Sequence, residues 1–325
     1  MAGFSVQPME VGAEITDLQP ALHNDPHVRR CLYDAWLEHG FLVFRGIDSI
    51  ERHLEVSRCF GELEIHPVEE VRSRRDPYLI EIGSPSDEPG RLPPVYLFDG
   101  KARINRIPWH RDTAYTPDIC KGAMLRMVEA PKHEGETMIA DTAMAWDDLP
   151  GDVQQKLVTL EYKATLRITH GNTLGRHGIF WAAAEIASEA EFPGNAERSA
   201  RFAAVDDRFP SVVHPAVLTH PESGRKCVFI SPTYADEFLG IGKAESDDLL
   251  SFVANHMLQP KYVYKHKWNI DDAVIWDNRR CLHAGKGNAP GEPRFGLRTT
   301  LAGSMRTGRY FDQNGWTENL VPIVD

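Results

Sequence analysis

The residues in this sequence that could do chemistry include histidine–carboxylate pairs with one residue between them. On an extended chain, residues i and i+2 point the same way, so one strand can bring a histidine and a carboxylate to one metal ion. With 14 histidines and 47 acidic residues in 325 positions, chance alone supplies about two such pairs, so the pattern needs context. The sequence contains four: His23/Asp25, His53/Glu55, His110/Asp112 and His220/Glu222.

Context favours one of these pairs as a metal chelate. The second pair falls in a predicted helix at 50–60, where residues i and i+2 diverge. In the first pair Asp25 precedes a proline and is better explained as a helix N-cap. The fourth pair lies in the turn-like segment 220–224, which we predict to be a hairpin tip. Only His110 and Asp112 follow an apolar stretch that can be extended, so this pair predicts a metal site.

The elements that must position this pair are mostly short strands separated by proline and glycine turns. Predicted strands cover 41–44, 122–128, 137–140, 162–168, 212–218, 227–230, 261–266, 273–276 and 296–302. Predicted helices start at 26 and 50, lie at 142–160 with a break at 150–151, and lie at 244–257. This pattern predicts a mainly β fold, a jelly roll (cupin-like double-stranded β-helix) with helices packed outside. A doubly wound α/β fold is disfavoured, because the sequence has neither G-x-G-x-x-G nor a Walker A motif.

Length and composition narrow the domain organisation and the partners. We expect a single domain over 1–325, with the poorly periodic segment 170–211 as a lid or insertion. The formal net charge of −11 argues against nucleic acid or an anionic membrane as a partner. Five cysteines with no C-x-x-C spacing suit a reducing compartment, and the first residues lack the pattern of a signal peptide. We therefore expect a cytoplasmic protein without a membrane span.

Five motifs, in order along the chain, resemble the taurine dioxygenase / 2,4-dichlorophenoxyacetate dioxygenase family of Fe(II)- and 2-oxoglutarate-dependent oxygenases. They are Phe60-Gly-Glu-Leu-Glu-Ile-His66-Pro, Trp109-His-x-Asp112, Gly135-Glu-Thr137, Trp276-Asp-Asn-Arg279-x-x-x-His283 and Arg294-x-x-x-Arg298. Each motif is weak alone, but five in the right order and at the right offsets are specific. The resemblance runs from about residue 40 to 302 and so covers most of the chain.

The resemblance implies a role for each matching residue. His110, Asp112 and His283 would bind Fe(II), with 2-oxoglutarate and O2 as cosubstrates. Arg294 would bind the far carboxylate of 2-oxoglutarate through its planar fork, helped by the hydroxyl of Thr137. The substrate contacts that we expect are Arg298, His66, Tyr115, Arg106 and Glu69. The assembly that the resemblance implies is a homodimer or a homotetramer.

Two departures from the taurine enzyme bear on the substrate. Glu69 stands where that enzyme has an aromatic residue, and Arg106 stands where it has an amide. A carboxylate would repel a sulfonate or attract an amine, which weakens the case for taurine. Related halogenases lack the carboxylate ligand, so the presence of Asp112 predicts hydroxylation or a related oxidation. We expect a small anionic or zwitterionic substrate, with succinate and CO2 released.

Two other classes of function remain open from the residues alone. A metal-dependent hydrolase or isomerase on the same cupin-like scaffold would use Zn or Mn at the same triad and would not need Arg294. A non-catalytic binding protein would tolerate the loss of Asp112. Trp109 and Trp276 are interpreted as core aromatics packed behind the metal ligands.

Overall fold

The computed structural model describes residues 3–19, 22–66, 69–87, 93–98, 100–166, 184–206, 209–303 and 305–311. The α-helices are α1 (Pro26–His39), α2 (Ile50–Ser57), α3 (Thr142–Asp147), α4 (Gly151–Leu157), α5 (Asn195–Asp206) and α6 (Lys243–Met257). The first strands are β1 (Ser5–Pro8), β2 (Ala13–Thr16), β3 (Phe41–Phe44), β4 (Leu63–Glu64), β5 (Leu79–Ser84), β6 (Tyr96–Phe98), β7 (Lys101–His110), β8 (Gly122–Glu129), β9 (Thr137–Asp141) and β10 (Glu161–Ala164). The remaining strands are β11 (Ala184–Ile186), β12 (Val212–Pro215), β13 (Val217–Thr219), β14 (Lys226–Val228), β15 (Ala235–Phe238), β16 (Val263–His266), β17 (Ala273–Asp277), β18 (Cys281–Asn288), β19 (Arg294–Leu301) and β20 (Arg309–Tyr310).

Local signals fix the ends of the first helix as predicted. The Asp25 carboxylate accepts hydrogen bonds from the N–H groups of His27 and Val28, which satisfies donors that a helix start leaves open. Gly40 ends the helix with a φ of 79°, a conformation that glycine adopts without a steric penalty. The predicted break near Pro150 also separates α3 from α4.

The predicted strand boundaries differ from the structure where the apolar pattern continues past a strand. The predicted strand at 162–168 stops at Ala164 in β10. The predicted strand at 212–218 is two strands, β12 and β13, separated by Ala216. The predicted hairpin tip at 220–224 is confirmed, because β13 and β14 pair on either side of it.

Two large sheets form the jelly roll that the sequence predicts. Among the described residues, one sheet has the order β1-β2-β3-β17-β8-β19-β4, with β5 also paired to β19. The other has the order β11-β6-β7-β18-β9-β16. The pairings are antiparallel except for β2 with β3. A smaller sheet, β15-β10-β12-β20, and helix α6 share a further apolar core.

The period-2 alternation of strand side chains decides which residues face between the sheets. On β3, Phe41 and Val43 pack in the core that contains Ile139 of the second sheet. Their neighbours Leu42 and Phe44 point outward and pack in the core that contains residues of α1. The outer face is therefore covered by helices, and the inner face is left to the other sheet.

The segment 170–211 is only partly within the described structure. Residues 167–183 and 207–208 lie outside the described residues. Within the segment, β11 pairs with β6 at one end of the second sheet, and α5 follows. Of the helices that the structure describes, none is long and apolar enough to cross a membrane.

Candidate active site

His110, Asp112 and His283 meet between the two large sheets. His110 is the last residue of β7 and stands directly opposite His283 of β18 in the strand pairing. The Nε2 atoms of His110 and His283 lie 3.6 Å and 3.7 Å from the two carboxylate oxygens of Asp112. One potential ligand atom from each residue lies within 4.8 Å of the others. Three side chains that are far apart in the sequence therefore converge on one point.

Asp112 does not lie on the strand that carries His110, which corrects the expectation that one strand delivers both. The strand β7 ends at His110, and Thr113 has a φ of 53°, which is strained for a β-branched residue. The Asn278 side chain holds this turn, because it accepts from the Asp112 N–H and donates to the Asp112 carbonyl, both at 2.8 Å. The tight turn thus aims the carboxylate back toward the two histidines.

The facing sheet contributes two groups that contact the Asp112 carboxylate. Trp276 donates from Nε1 to Oδ2 at 3.2 Å, and Nη2 of Arg298 lies 2.7 Å from the same oxygen. Trp276 is therefore more than a packing residue, although its ring does lie 4.4 Å from that of His283. Trp109 is only partly buried against the apolar core, whereas the sequence predicts a core aromatic.

The protonation states suit a divalent cation. Burial alone would raise the pKa of Asp112, but Arg298, His283 and His110 outweigh it and hold the pKa well below its usual range. Burial holds the pKa of the His283 imidazole well below its ordinary value, with His110 adding to the effect. Nδ1 of His110 donates to the Pro108 carbonyl at 2.7 Å, so Nε2 is the ring nitrogen that faces the Asp112 carboxylate. Two imidazoles and a carboxylate are the donor set that Fe(II) accepts in oxygenases.

Arg294 is a buried cation beside this cluster, on the inner face of β19. Its Nε donates to the Gly135 carbonyl at 3.0 Å and its Nη2 to the Thr137 hydroxyl at 3.3 Å. No Asp or Glu among the described residues forms an ion pair with it, and burial lowers its pKa to about 10. The Thr137 oxygen also accepts from Trp268 at 3.1 Å, so its own proton is free for a further acceptor. Both groups suit a carboxylate ligand.

A cavity of about 110 Å³ lies next to Asp112. It is lined by His66, Val71, Asp112, Thr113, Tyr115, Leu166 and Tyr234. The structure thus places His66 and Tyr115 at the cavity, where the sequence expects substrate contacts. The Tyr115 ring packs edge-on against Tyr234 at 5.5 Å and against Phe209 at 5.0 Å. One wall of the cavity is therefore aromatic.

Two expected substrate contacts lie away from the cavity. The Glu69 side chain is 79% exposed and pairs with Arg72 at 3.1 Å. Arg106, on β7, holds its guanidinium 4.2 Å from the centre of the Phe98 ring. Neither residue lines the cavity. For Arg106 the physical reason is that the pairing of β7 with β18 shifts register between Ile107 and His110, so Arg106 and His110 face opposite sides of the sheet.

A different carboxylate, Glu64, lies close to the site and was not singled out from the sequence. Glu64 pairs with Thr300, two residues from Arg298, so Glu64 and Arg298 share the inner face of the sheet. Burial raises the pKa of Glu64, while Arg298 lowers it. The only sequence signal for Glu64 is its i, i+2 relation to His66. Tyr234 and Leu166 had no signal, because the fold alone brings them to the cavity.

The comparison with known families gives a match over most of the chain. Residues 4–300 match the family model "Taurine catabolism dioxygenase TauD, TfdA family". The chain belongs to the TauD, TfdA family. As a member of it, the protein is an Fe(II)- and 2-oxoglutarate-dependent dioxygenase with O2 as the second cosubstrate, as the sequence predicts. The family therefore favours the oxygenase over the hydrolase, the isomerase and the non-catalytic protein.

Individual TauD, TfdA relatives extend over similar lengths. The (S)-phenoxypropionate/alpha-ketoglutarate-dioxygenase of Sphingobium herbicidovorans is 28% identical over 86% of this chain and 88% of its own. The alpha-ketoglutarate-dependent 2,4-dichlorophenoxyacetate dioxygenase of Cupriavidus pinatubonensis is 32% identical over 85% of this chain and 88% of its own. The crystal structure of a taurine dioxygenase from Burkholderia xenovorans superposes with a TM-score of 0.69 at 20% identity, over 95% of each chain. That likeness supports the jelly-roll fold.

Proposed function

We propose that the protein hydroxylates an aliphatic C–H bond of a small anionic or zwitterionic molecule and releases succinate and CO2. The site of this reaction would be the cluster of His110, Asp112 and His283. One observation carries the proposal: the three potential ligand atoms lie within 4.8 Å of one another, beside the buried cation of Arg294, which no described carboxylate neutralises. A dianionic cosubstrate that chelates a metal at one end needs this combination.

Each residue has a defined task in this proposal. His110, Asp112 and His283 hold Fe(II), which together with 2-oxoglutarate and O2 supplies the oxidising chemistry. Arg294 binds the far carboxylate of 2-oxoglutarate, and Thr137 donates its free hydroxyl proton to the same group. The Asn278 and Trp276 contacts hold the Asp112 carboxylate toward the histidines, which orients the ligand before the metal arrives.

The substrate end of the proposal rests on the cavity and on Arg298. The cavity offers His66 and Tyr115 to a substrate, with an aromatic wall around them. Arg298 does not itself line the cavity, but its Nη2 lies 2.7 Å from Asp112, which does, and an anionic substrate could share this contact. The two relatives described above are named for aryloxy carboxylates, which would suit an aromatic wall and a cation.

A zwitterionic substrate has its own support in Glu64. The sequence suggested Glu69 as the carboxylate that would attract an amine, but Glu69 is exposed and paired with Arg72. Glu64 lies on the same sheet face as Arg298, so it takes over this role in the proposal. An ammonium or hydroxyl group of the substrate would then face Glu64, and its anionic group would face Arg298.

We also propose a single domain over 1–325 in which the segment 170–211 covers the cavity. One described residue just before the segment and one near its end support this proposal. Leu166 lines the cavity, and Phe209 packs against the ring of Tyr115, which also lines it. A cover at this place would keep water from the site during the reaction.

An anaerobic titration of the purified protein with Fe(II) and 2-oxoglutarate tests the proposed site. A 2-oxo acid that chelates Fe(II) gives a visible charge-transfer band, which we expect for the wild type. Asp112→Ala should lose the band because the metal is lost, and Arg294→Met should need far more 2-oxoglutarate to reach it. Arg309→Ala, which breaks the surface pair with Glu161, is the control and should behave as the wild type. A folded, iron-loaded wild type without a band would refute the proposal.

The substrate class is tested by succinate release with matched probes. A phenoxyacetate-type carboxylate is compared with its primary amide, which has the same shape and no charge. The proposal expects turnover of the carboxylate and little turnover of the amide. Equal turnover of both probes would contradict the role of Arg298.

A further inference from the structure

Arg111, the residue between His110 and Asp112, is fully buried and points away from the cavity. Its guanidinium donates to the carbonyls of Asn278, Cys281 and Val228 and to the hydroxyl of Thr142. It also lies 4.7 Å from the centre of the Phe229 ring. Among the described residues no carboxylate forms an ion pair with it. Burying such a charge is costly unless hydrogen bonds compensate it.

The carbonyls that accept hydrogen bonds from Arg111 show which parts of the site it connects. Asn278, whose carbonyl accepts from Arg111, also holds the backbone of Asp112 with its side chain. Cys281 lies two residues before His283 on β18. The guanidinium therefore ties the turn that carries one candidate ligand to the segment that leads to another. A planar fork with several donors can do this, whereas a lysine ammonium cannot span the same carbonyls.

We propose that Arg111 is a positioning residue that fixes the distance between Asp112 and His283 and thereby sets the affinity for the metal. The inference rests on the proposed metal role of His110, Asp112 and His283. No step of the reaction passes through Arg111, which touches neither the cavity nor a candidate ligand atom. Its effect would be on the geometry of the ligands before the metal binds.

Three roles for Arg111 predict different results for the metal affinity. If Arg111 acted through its charge, its removal would relieve repulsion of a cation, and the metal would bind more tightly. If Arg111 served only the fold, its removal would lower the melting temperature of the metal-free protein and leave the affinity unchanged. If it positions the ligands, its removal weakens metal binding even in a folded protein, by about 10- to 100-fold.

Arg280 provides a matched control, because it is a second buried arginine and lies between Asn278 and Cys281, whose carbonyls accept from Arg111. It is also buried, but it pairs with Asp141 and donates to the carbonyls of Leu37 and Glu38 at the end of α1. It does not contact the turn of Asp112. Arg280→Lys therefore disturbs a buried arginine but leaves the hydrogen bonds of Arg111, which link the turn of Asp112 to the strand of His283, in place.

The experiment titrates Mn(II) into the metal-free protein and follows free Mn(II) by electron paramagnetic resonance. Thermal melts of each metal-free variant are recorded by circular dichroism, and the titration is done where the variant is folded. We expect Arg111→Met and Arg111→Lys to bind Mn(II) about 10- to 100-fold more weakly than the wild type. Arg280→Lys should lower the melting temperature and keep the wild-type affinity. If Arg111→Met does not fold, Arg111→Lys decides, because it keeps a charge in the site.

The outcomes separate this inference from the proposed function. Arg111 variants that bind Mn(II) as tightly as the wild type, or more tightly, overturn the positioning role while the metal site stands. If Asp112→Ala binds Mn(II) as tightly as the wild type does, the proposed metal site is wrong, and the inference about Arg111 is wrong with it.

Discussion

Arg294→Met should raise the free energy of unfolding of the ligand-free protein and weaken its binding of 2-oxoglutarate. Arg294 is buried, and among the described residues no carboxylate pairs with it, so only hydrogen bonds offset its charge there. Burial lowers its pKa to about 10, well below the ordinary value of an arginine, and at about 1.4 kcal/mol for each tenfold change this charge costs the folded chain about 3 kcal/mol. The sign follows from linkage, since a cation whose pKa falls on folding destabilises the fold wherever it stays protonated.

The net stability gain is smaller than the cost of the charge. Arg294 makes hydrogen bonds to the Gly135 carbonyl and the Thr137 hydroxyl, each worth about 1 kcal/mol. Methionine fills a similar volume without a charge, so we expect Arg294→Met to stabilise the ligand-free protein by about 1–2 kcal/mol. Binding of 2-oxoglutarate should weaken by about 100- to 1,000-fold, because one partner of the proposed buried ion pair is lost.

Urea unfolding and ligand titration measure the two effects separately. The free energy of unfolding is measured without ligand, and the 2-oxoglutarate affinity by the charge-transfer band under anaerobic conditions. Arg126→Met is the control, because Arg126 is equally buried on the neighbouring strand β8 but pairs with Asp271 at 2.6 Å. This control should lose about 1–3 kcal/mol of stability. An Arg294→Met protein that is clearly less stable than the wild type, or that keeps its 2-oxoglutarate affinity, would refute the reasoning.

Three further predictions concern residues outside the candidate ligands. Burial lowers the pKa of His53 to about 3, so between pH 7 and pH 5 this imidazole is protonated in the unfolded chain but not in the folded protein. The wild type therefore loses stability as the pH falls, and His53→Gln should make that loss smaller by about 2 kcal/mol. Urea unfolding at both pH values measures the difference. A variant with the wild-type pH dependence would contradict this assignment. Asp25→Ala should cost about 1 kcal/mol by removing the cap of α1 and leave Mn(II) affinity unchanged, whereas a loss of affinity would revive the chelate interpretation of this pair. Gly83→Ala should weaken 2-oxoglutarate binding and lower the melting temperature, because the Cβ of the alanine would lie 2.0 Å from the Arg294 carbonyl oxygen. Wild-type values in both measurements would contradict this prediction and show that β5 can shift to make room.

The parts that the sequence predicts are those that depend on short-range rules. Asp25 followed by proline fixes the start of α1 because capping involves adjacent residues. The i, i+4 spacing of Arg294 and Arg298 puts both on one face of β19 because strand side chains alternate. The resemblance then identifies the family from ordered motifs, and the match over residues 4–300 confirms it.

The parts that the sequence does not predict depend on which strands become neighbours. Glu64 reaches the site because β4 pairs with the end of β19, and no local rule shows that register. The contact of Trp276 with Asp112 needs the two sheets to face each other, since Trp276 lies on one and Asp112 follows a strand of the other. Glu69 was chosen by its distance from His66 along the chain, but its side chain is exposed and pairs with Arg72.

The proposed metal and cosubstrate residues lie mostly on strands, whereas the cavity is lined by connections, and this affects how the substrate specificity of such an enzyme can evolve. The proposed residues His110, His283, Thr137 and Arg294 lie on strands that have a paired neighbour on each side. The residues that line the cavity, such as Leu166 and Tyr234, all lie outside the strands. Connections tolerate replacement far better than central strands. Asp112 is the exception, because this proposed ligand lines the cavity from the turn after β7. Selection in a duplicated gene, or in a laboratory library that varies these connections and keeps Asp112, can therefore reshape the cavity while the proposed metal and cosubstrate residues stay unchanged.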